Sequence, residues 1–200
     1  KGYTCLRDTA LMRVVFGSGL VQQIDPKLPG GETLSTYRFS PDAKHLAVVS
    51  RKGTARPGDR KVSIASYRDR FMKVNEVPRH VSDDPLPDVE LKVYLHQLNA
   101  PMLEDGEPTK VFEHKSSGPR DILTAVEWSP DSKRIAFGVF EQSSSQVRIL
   151  TAEVAPEPKK GEKRQPAGTA KVVHRFLHTR GPTTPGMMQP RFLDDSRRLV

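Results

Sequence analysis

A ten-residue pattern that occurs twice limits what this chain can fold into. Residues 39–48 read Phe-Ser-Pro-Asp-Ala-Lys-His-Leu-Ala-Val, and residues 128–137 read Trp-Ser-Pro-Asp-Ser-Lys-Arg-Ile-Ala-Phe. Residues 192–200, Phe-Leu-Asp-Asp-Ser-Arg-Arg-Leu-Val, form a degenerate third copy. Such self-similarity is typical of architectures in which one supersecondary unit is repeated and stacked. The alternative is three unrelated hairpins that share one turn chemistry.

Each copy has the composition of a β-hairpin. The aromatic residue ends one strand, the proline fixes φ, the aspartate accepts hydrogen bonds from turn amides, and the apolar run begins the return strand. We therefore expect the three aromatic residues at equivalent strand ends and the aspartates in equivalent turns. The predicted repeat residues are Phe39, Pro41, Asp42, Trp128, Pro130, Asp131, Phe192 and Asp195.

The spacing of the copies predicts an all-β fold, a β-propeller fragment with about two full four-stranded blades and partial blades at both ends. Both intervals exceed the roughly 40–50 residues of a common propeller blade, which favours insertions. The predicted units are residues 1–34, the end of a preceding blade; 35–117, a blade with a long insertion at 51–90; 118–180, a blade with a basic Pro-rich insertion at 155–170; and 181–200, the start of a next blade.

The hairpin turns, the apolar strand-like runs and, at residues 91–98, the alternation of apolar and polar residues place the strands of the two full blades. We expect them at about 35–40, 45–50, 91–98 and 109–114, and then at 123–128, 134–141, 146–152 and 171–176. Segments 50–90 and 156–170 are expected to be the least regular. Propellers close with about four to eight blades, so these residues alone are not expected to form a ring.

Composition excludes several classes of protein. A single cysteine, Cys5, allows neither an intrachain disulfide nor a cysteine-built zinc site. No apolar run is long enough for a transmembrane helix. The net charge of +8 owes much to the Pro-rich run 155–171, which we interpret as a solvated loop, with an anionic partner as the alternative. No nucleic-acid partner is expected.

No catalytic constellation is found. The sequence has no Gly-x-Ser-x-Gly elbow, no glycine-rich phosphate loop and no His-Glu-x-x-His pair. His174 and His178 lie in or just after a predicted strand, where residues four apart do not converge, so we interpret them as surface histidines. We expect no catalytic, metal-binding or cofactor-binding residue in this chain.

The aromatic-Ser-Pro-Asp-x-Lys-x-Ile/Leu-Ala pattern resembles the blade signature of TolB-type propellers and of the propellers attached to prolyl-oligopeptidase-family serine peptidases. The order Val77-Pro78-Arg79, then Asp84-Pro85 through Val93-Tyr94-Leu95, is similar to the N-terminal propeller of dipeptidyl peptidase IV-like enzymes. The resemblance implies a non-catalytic propeller that caps a hydrolase domain outside this chain and gates peptide substrates.

Two departures limit what the resemblance implies. The family's Tyr-Pro-Lys-Ala-Gly is replaced by Arg79-His80-Val81-Ser82-Asp83. The family's Glu-Glu pair, which holds a substrate's free N-terminus, has no counterpart in residues 25–31, Asp-Pro-Lys-Leu-Pro-Gly-Gly. Removal of N-terminal dipeptides is therefore not supported.

Two functional hypotheses follow. The first is the propeller of a prolyl-oligopeptidase-family peptidase, whose partner is a peptide substrate bound through a hydrolase domain on the same parent chain. The second is a stand-alone TolB-like propeller that binds proteins. A homodimer of the parent stays open, as does its activity as an enzyme. The compartment also stays open. The first hypothesis suggests a periplasmic or secreted protein, and a cytoplasmic protein is the alternative.

Overall fold

The computed structural model describes residues 2–7, 10–53, 61–66, 72–78, 89–99, 102–103, 108–116, 121–141, 143–155, 167–177 and 189–200. In chain order the strands are β1 (Gly2–Arg7), β2 (Ala10–Val15), β3 (Val21–Ile24), β4 (Thr33–Phe39), β5 (His45–Gly53), β6 (Lys61–Ser66), β7 (Lys73–Pro78), β8 (Val89–Asn99), β9 (Met102–Leu103), β10 (Thr109–Ser116), β11 (Ile122–Leu123), β12 (Glu127–Trp128), β13 (Arg134–Glu141), β14 (Gln146–Glu153) and β15 (Lys171–Leu177). Within these ranges no helix is long and apolar enough to cross a membrane.

The strands form three larger antiparallel sheets and one separate hairpin. Sheet I has the order β1-β2-β3. Sheet II has the order β10-β8-β5-β4, with β9 paired to the end of β8. Sheet III has the order β11-β13-β14-β15, with β12 also paired to β13. Within the described part of the chain, strands β6 and β7 pair only with each other.

The central strands of sheets II and III are buried on both faces. Residues 135–140 of β13 and residues 46–50 of β5 are all buried, although side chains alternate between the two faces of a strand. A strand with this pattern must have cover on both sides of its sheet.

Two apolar cores lie on opposite faces of sheet II. On β5, Leu46 and Val48 join the core shared with sheet I, whereas Ala47 and Val49 join the core shared with sheet III. The first core contains Leu11, Leu34, Leu46, Val48 and Tyr94. The second contains Ala47, Val49, Val93, Leu95, Val111, Val126, Trp128, Ile135, Phe137, Val139, Leu150 and Ala152. Sheet II is therefore the middle layer of three.

The all-β class is confirmed, and strands occur in all eight segments predicted for the two repeated units. The propeller and its unit boundaries at residues 34, 117 and 180 stay predictions. Strand β1 was not anticipated. The expected irregularity of segment 50–90 is wrong for its described part, since β5 continues to Gly53 and β6 pairs with β7. In the other segment, residues 156–166 lie outside the described residues.

The β6–β7 hairpin has a local physical reason. Ile64 pairs with Asn75, which lies two positions before Val77, so the β-branched side chains of Ile64 and Val77 share one face of the hairpin. The prolines and charges around the hairpin conceal this short alternation in the sequence.

Candidate functional site, a row of three linked turns

The first predicted turn, residues 40–45, joins β4 to β5 and is called turn 1. The Ser40 amide donates to the His45 carbonyl at 2.9 Å, and the Ala43 amide donates to the Ser40 carbonyl at 2.9 Å. The Ser40 hydroxyl donates to Asp42 Oδ1 at 2.5 Å and accepts from the His45 amide at 2.9 Å. Ala43 has a φ of 58°, in the left-handed region. The turn is held by its own serine and aspartate.

Turn 2, residues 129–134, repeats this arrangement between β12 and β13. The Ser129 amide donates to the Arg134 carbonyl at 2.9 Å, and the Ser129 hydroxyl donates to Asp131 Oδ1 at 2.6 Å. Ser132 takes the left-handed position with a φ of 60°. Turns 1 and 2 therefore share hydrogen bonds as well as sequence.

Turn 3, residues 193–198, has the same backbone conformation as turns 1 and 2, but it begins with Leu193 where they begin with a serine. The Leu193 amide donates to the Arg198 carbonyl at 3.0 Å, and Ser196 has a φ of 56°. Asp195 Oδ1 accepts from the amides of both Arg197 at 2.9 Å and Arg198 at 3.0 Å. In turns 1 and 2 the amide of the last turn residue donates to the serine hydroxyl, whereas in turn 3 the equivalent Arg198 amide donates to Asp195. This substitution explains why the third copy tolerates Leu193 in place of the serine.

The three turns are joined to one another. The Asp42 amide donates to Ser132 Oγ at 3.1 Å, and the Asp131 amide donates to Ser196 Oγ at 3.0 Å. Ser132 and Ser196 are only 6% and 7% exposed. The left-handed residue of one turn therefore caps the aspartate amide of the turn before it.

A second contact repeats between neighbouring turns. The His45 ring lies 6.0 Å from the Trp128 ring, and the Arg134 guanidinium lies 5.6 Å from the centre of the Phe192 ring. In both cases the last residue of one turn meets the aromatic residue that precedes the next. The Trp128 indole N–H also donates to the Arg38 carbonyl of β4 at 3.1 Å.

The turn aspartates are electrostatically stable anions. Burial raises the pKa of Asp42, but hydrogen bonds from the Ser40 hydroxyl and the Lys44 amide outweigh it and hold that pKa below its usual value. The Ser129 hydroxyl lowers the pKa of Asp131, and the Arg198 and Arg197 amides hold the pKa of Asp195 well below its usual range. These carboxylates act as acceptors within their turns, a structural role that needs no proton transfer.

A polar cleft of about 550 Å³ lies where turns 1 and 2 meet. Its lining includes Lys44 and Lys133 beside Asp42, Asp131 and Glu153. Charges of both signs face the cleft. The arrangement can bind and position polar groups.

A buried ionic cluster at the opposite end of sheet II escaped sequence reasoning. Glu32 Oε1 accepts from Lys92 Nζ at 2.8 Å and from the Tyr94 hydroxyl at 3.1 Å, and Glu32 Oε2 accepts from the Ser50 hydroxyl at 2.6 Å. Lys92 also pairs with Glu90 at 2.8 Å. The partners are far apart in the chain and follow no pattern, so nothing in the sequence signals the cluster.

The cluster shifts the titration of its members. Burial raises the pKa of Glu32, but the bonds from Lys92 and Ser50 outweigh it and hold the pKa below its usual value. Burial and the Glu32 charge raise the pKa of Tyr94 to about 12. Glu32 follows the segment where the resembled family has its acidic pair, yet its carboxylate, 1% exposed, is already neutralised by Lys92.

A histidine bridge between sheets II and III was also missed. His114 Nε2 lies 2.7 Å from Asp121 Oδ2, and Arg148 Nη2 lies 3.2 Å from His114 Nδ1. Because arginine can only donate, Nδ1 is the acceptor and Nε2 carries the hydrogen that bonds Asp121. Both nitrogens are thereby occupied, which suits the bridge to a structural role.

The remaining sequence candidates do not form a site. His174 is exposed on β15, and His178 lies outside the described residues. Cys5 is an exposed free thiol. Among the residues that the structure describes, no group of three or more His, Cys, Asp or Glu could hold a metal ion.

Comparison with known proteins adds one finding. No family model matches the chain, and no curated protein matches it significantly. A crystal structure from Bacteroides ovatus ATCC 8483 has a provisional assignment as a dipeptidyl aminopeptidase IV. Its alignment with this chain covers 90% of the chain, with 13% sequence identity and a TM-score of 0.39. The match covers 29% of that structure, so this chain spans less than a third of its length. At this TM-score the likeness establishes neither fold family nor activity.

Proposed function

We propose that this chain is a non-catalytic propeller segment of a prolyl-oligopeptidase-family serine peptidase, in which it gates or positions peptide substrates for a hydrolase domain outside these residues. The observation that carries the proposal is the row of linked turns. Three copies of one turn are joined by the same hydrogen bond. Turn 1 connects the paired strands β4 and β5 of sheet II, and turn 2 connects the paired strands β12 and β13 of sheet III. Repeated sheets joined in this way are what a propeller requires.

The physical basis of gating is rigidity. Sheets II and III share a buried core, and their turns are joined by hydrogen bonds at one end and by the His114 bridge elsewhere. A wall built this way resists the large distortion that a folded substrate would need to pass it, while an extended peptide needs only a narrow path. The contribution of the segment to proteolysis is therefore selection by size.

A stand-alone, protein-binding propeller is the second candidate. Two observations favour it. Glu32, which follows the segment where the resembled family has its acidic pair, is already bound to Lys92, and apolar side chains are exposed on β15. Under this reading the sheets serve as a docking scaffold and no hydrolase is attached.

A fluorophosphonate serine-hydrolase probe applied to the full-length protein distinguishes the two. We expect covalent labelling that maps outside the residues of this chain, because its sequence contains no Gly-x-Ser-x-Gly elbow. Heat-denatured protein is the control and should not label. Absence of labelling on the native full-length protein would contradict the peptidase proposal and favour the binding scaffold.

Gating itself is tested by substrate size. In a labelling-competent protein, the Ser132→Ala variant removes one link between the first two turns. We expect faster cleavage of a compact protein substrate with unchanged kcat/KM for a short peptide. If the variant cleaves each of the two substrates at the same rate as the wild type does, gating by this segment is contradicted.

A further inference from the structure

His114 of β10 makes two side-chain contacts that cross from sheet II to sheet III. Its Nε2 atom donates to Oδ2 of Asp121, the residue before β11, at 2.7 Å, and its Nδ1 atom accepts from Arg148 Nη2 at 3.2 Å. The side chains of His114 and Asp121 are only 11% and 8% exposed. Arg148 lies two positions before Leu150 of the shared core, so its side chain is on the face of β14 that meets sheet II. A largely buried imidazole therefore joins the two sheets at the end away from the turns.

The Arg148 guanidinium makes its contacts through a single nitrogen. Among the described residues its partners are Glu141 and His114, and both are bound through Nη2. Its Nε atom is buried and has no hydrogen-bond partner there. Because arginine has donors and no acceptor, the contact with His114 exists only while Nδ1 of the imidazole carries no hydrogen.

Protonation of the imidazole acts differently on its two contacts. The Nε2–H group donates to Asp121 in either charge state, and a positive ring strengthens that bond. A proton on Nδ1 sets one N–H group against another and brings a second positive charge to the Arg148 guanidinium. The contact between β10 and β14 is then lost, and Arg148 keeps Glu141 as its partner.

The other charged groups near this point face away from the imidazole. On β10, Glu113 and Lys115 lie on the opposite face, where Lys115 also meets Glu90 of β8. The residue of β8 that pairs with His114 is the apolar Leu91. Within the described ranges, the charged groups that contact the ring are therefore the carboxylate before β11 and the guanidinium on β14.

We infer that His114 is a proton-sensitive latch between sheets II and III: a proton on its Nδ1 atom releases β14 from β10, while the bond to Asp121 holds the ring in place. Histidine is the side chain whose charge changes within the physiological pH range, so we expect the latch to be closed at pH 7.5 and open at pH 5.5. The turns keep their own link from Asp42 to Ser132, so acid loosens one end of the junction only. The latch is a property of the two sheets and does not depend on peptidase activity.

Hydrogen exchange of the full-length protein at pH 7.5 and pH 5.5, measured by mass spectrometry, tests the latch. After correction for the intrinsic pH dependence of exchange, we expect the protection of β14, residues 146–153, to fall about fivefold at pH 5.5, as loss of one hydrogen bond implies. In His114→Gln the side-chain carbonyl can accept from Arg148 and the amide can donate to Asp121, but the group does not titrate. This variant should lack the fivefold loss. His174→Gln, at an exposed histidine of β15, is the matched control and should behave as the wild type.

Nitrogen chemical shifts of His114 in ¹⁵N-histidine-labelled wild-type protein test the same point without a variant. We expect a hydrogen on Nε2 alone at pH 7.5 and on both ring nitrogens at pH 5.5. A hydrogen on Nδ1 at pH 7.5, or an Nδ1 that stays unprotonated at pH 5.5, would overturn the inference. An equal loss of β14 protection in wild type and His114→Gln would also overturn it, since both proteins keep every other histidine. These readouts are separable from labelling by the serine-hydrolase probe.

Discussion

At the scale of single residues, His96 is a buried histidine on β8, between sheets I and II, with only 6% of its surface exposed. Its Nε2 atom has no hydrogen-bond partner among the described residues. Burial lowers the pKa of His96 to about 4, with a small opposing effect from Asp25 and a reinforcing one from Lys27. The folded protein therefore holds this imidazole neutral at pH values where an unfolded chain would protonate it.

This difference makes stability depend on pH in a defined direction. The folded pKa lies below the unfolded value of about 6.5, so the stabilisation is complete above pH 6.5 and is lost as pH falls toward 4. We expect the wild-type free energy of unfolding to fall by up to about 3 kcal/mol more than that of His96→Leu across this window. Urea unfolding at pH 7 and pH 4.5 measures the difference.

The control for this prediction is His174→Gln, because His174 is exposed on β15. It should reproduce the pH dependence of the wild type. If His96→Leu and wild type lose the same stability between the two pH values, the buried histidine is not the cause.

At the scale of the element, turns 1 and 2 each place a non-glycine residue in the left-handed region, but only one of the two residues makes a side-chain contact that offsets the strain. Ala43 has a φ of 58° and an exposed side chain, so its strain has no compensating contact from the side chain. Ser132 has a φ of 60°, and its hydroxyl accepts the Asp42 amide. The same backbone strain is thus offset at one turn and uncompensated at the other.

Glycine at these two positions should have opposite effects. Ala43→Gly relieves the strain and should raise the free energy of unfolding by about 0.5 kcal/mol. Ser132→Gly relieves the same strain but loses the hydrogen bond of about 1 kcal/mol to the Asp42 amide, so the net stability should fall by about 0.5 kcal/mol. Chemical denaturation of both variants measures the two signs. Equal effects would show that the link between turns contributes nothing.

Sheets II and III, at the scale of the whole molecule, are joined by one core and are expected to unfold together. Phe137 of β13 is fully buried in that core, and its ring lies 5.1 Å from that of Phe112 on β10. A defect at Phe137 therefore affects both sheets.

Phe137→Leu should lower the free energy of unfolding by about 1.5 kcal/mol. Amide exchange should rise by about tenfold in β8 and in β14 alike, because both strands contribute to the damaged core. The matched control is Phe176→Leu on the exposed strand β15, which should change stability by less than about 0.5 kcal/mol. A rise confined to β14 would show that the two sheets open independently.

Much of the fold was predictable because its signals are local. The alternation in β8, the apolar run in β13 and the Ser-Pro-Asp chemistry of the first two turns act over a few residues, so they can be read without knowing what packs nearby. Strand β1 and the β6–β7 hairpin were missed, since the first lacks a turn signal of its own and the second lies among prolines and charges. The link from Asp42 to Ser132 spans 90 positions and could not be anticipated from spacing.

By itself the sequence determined the all-β class, the positions of the strands in sheets II and III, and three turns stabilised by aspartate, because strand alternation and turn hydrogen bonding are short-range properties. Only the tertiary structure decided that sheet II lies between two cores, that the left-handed serines join successive turns, and that Glu32 is buried against Lys92. These contacts join residues that are far apart in the chain. Their formation depends on how whole sheets stack, which no short window of sequence specifies.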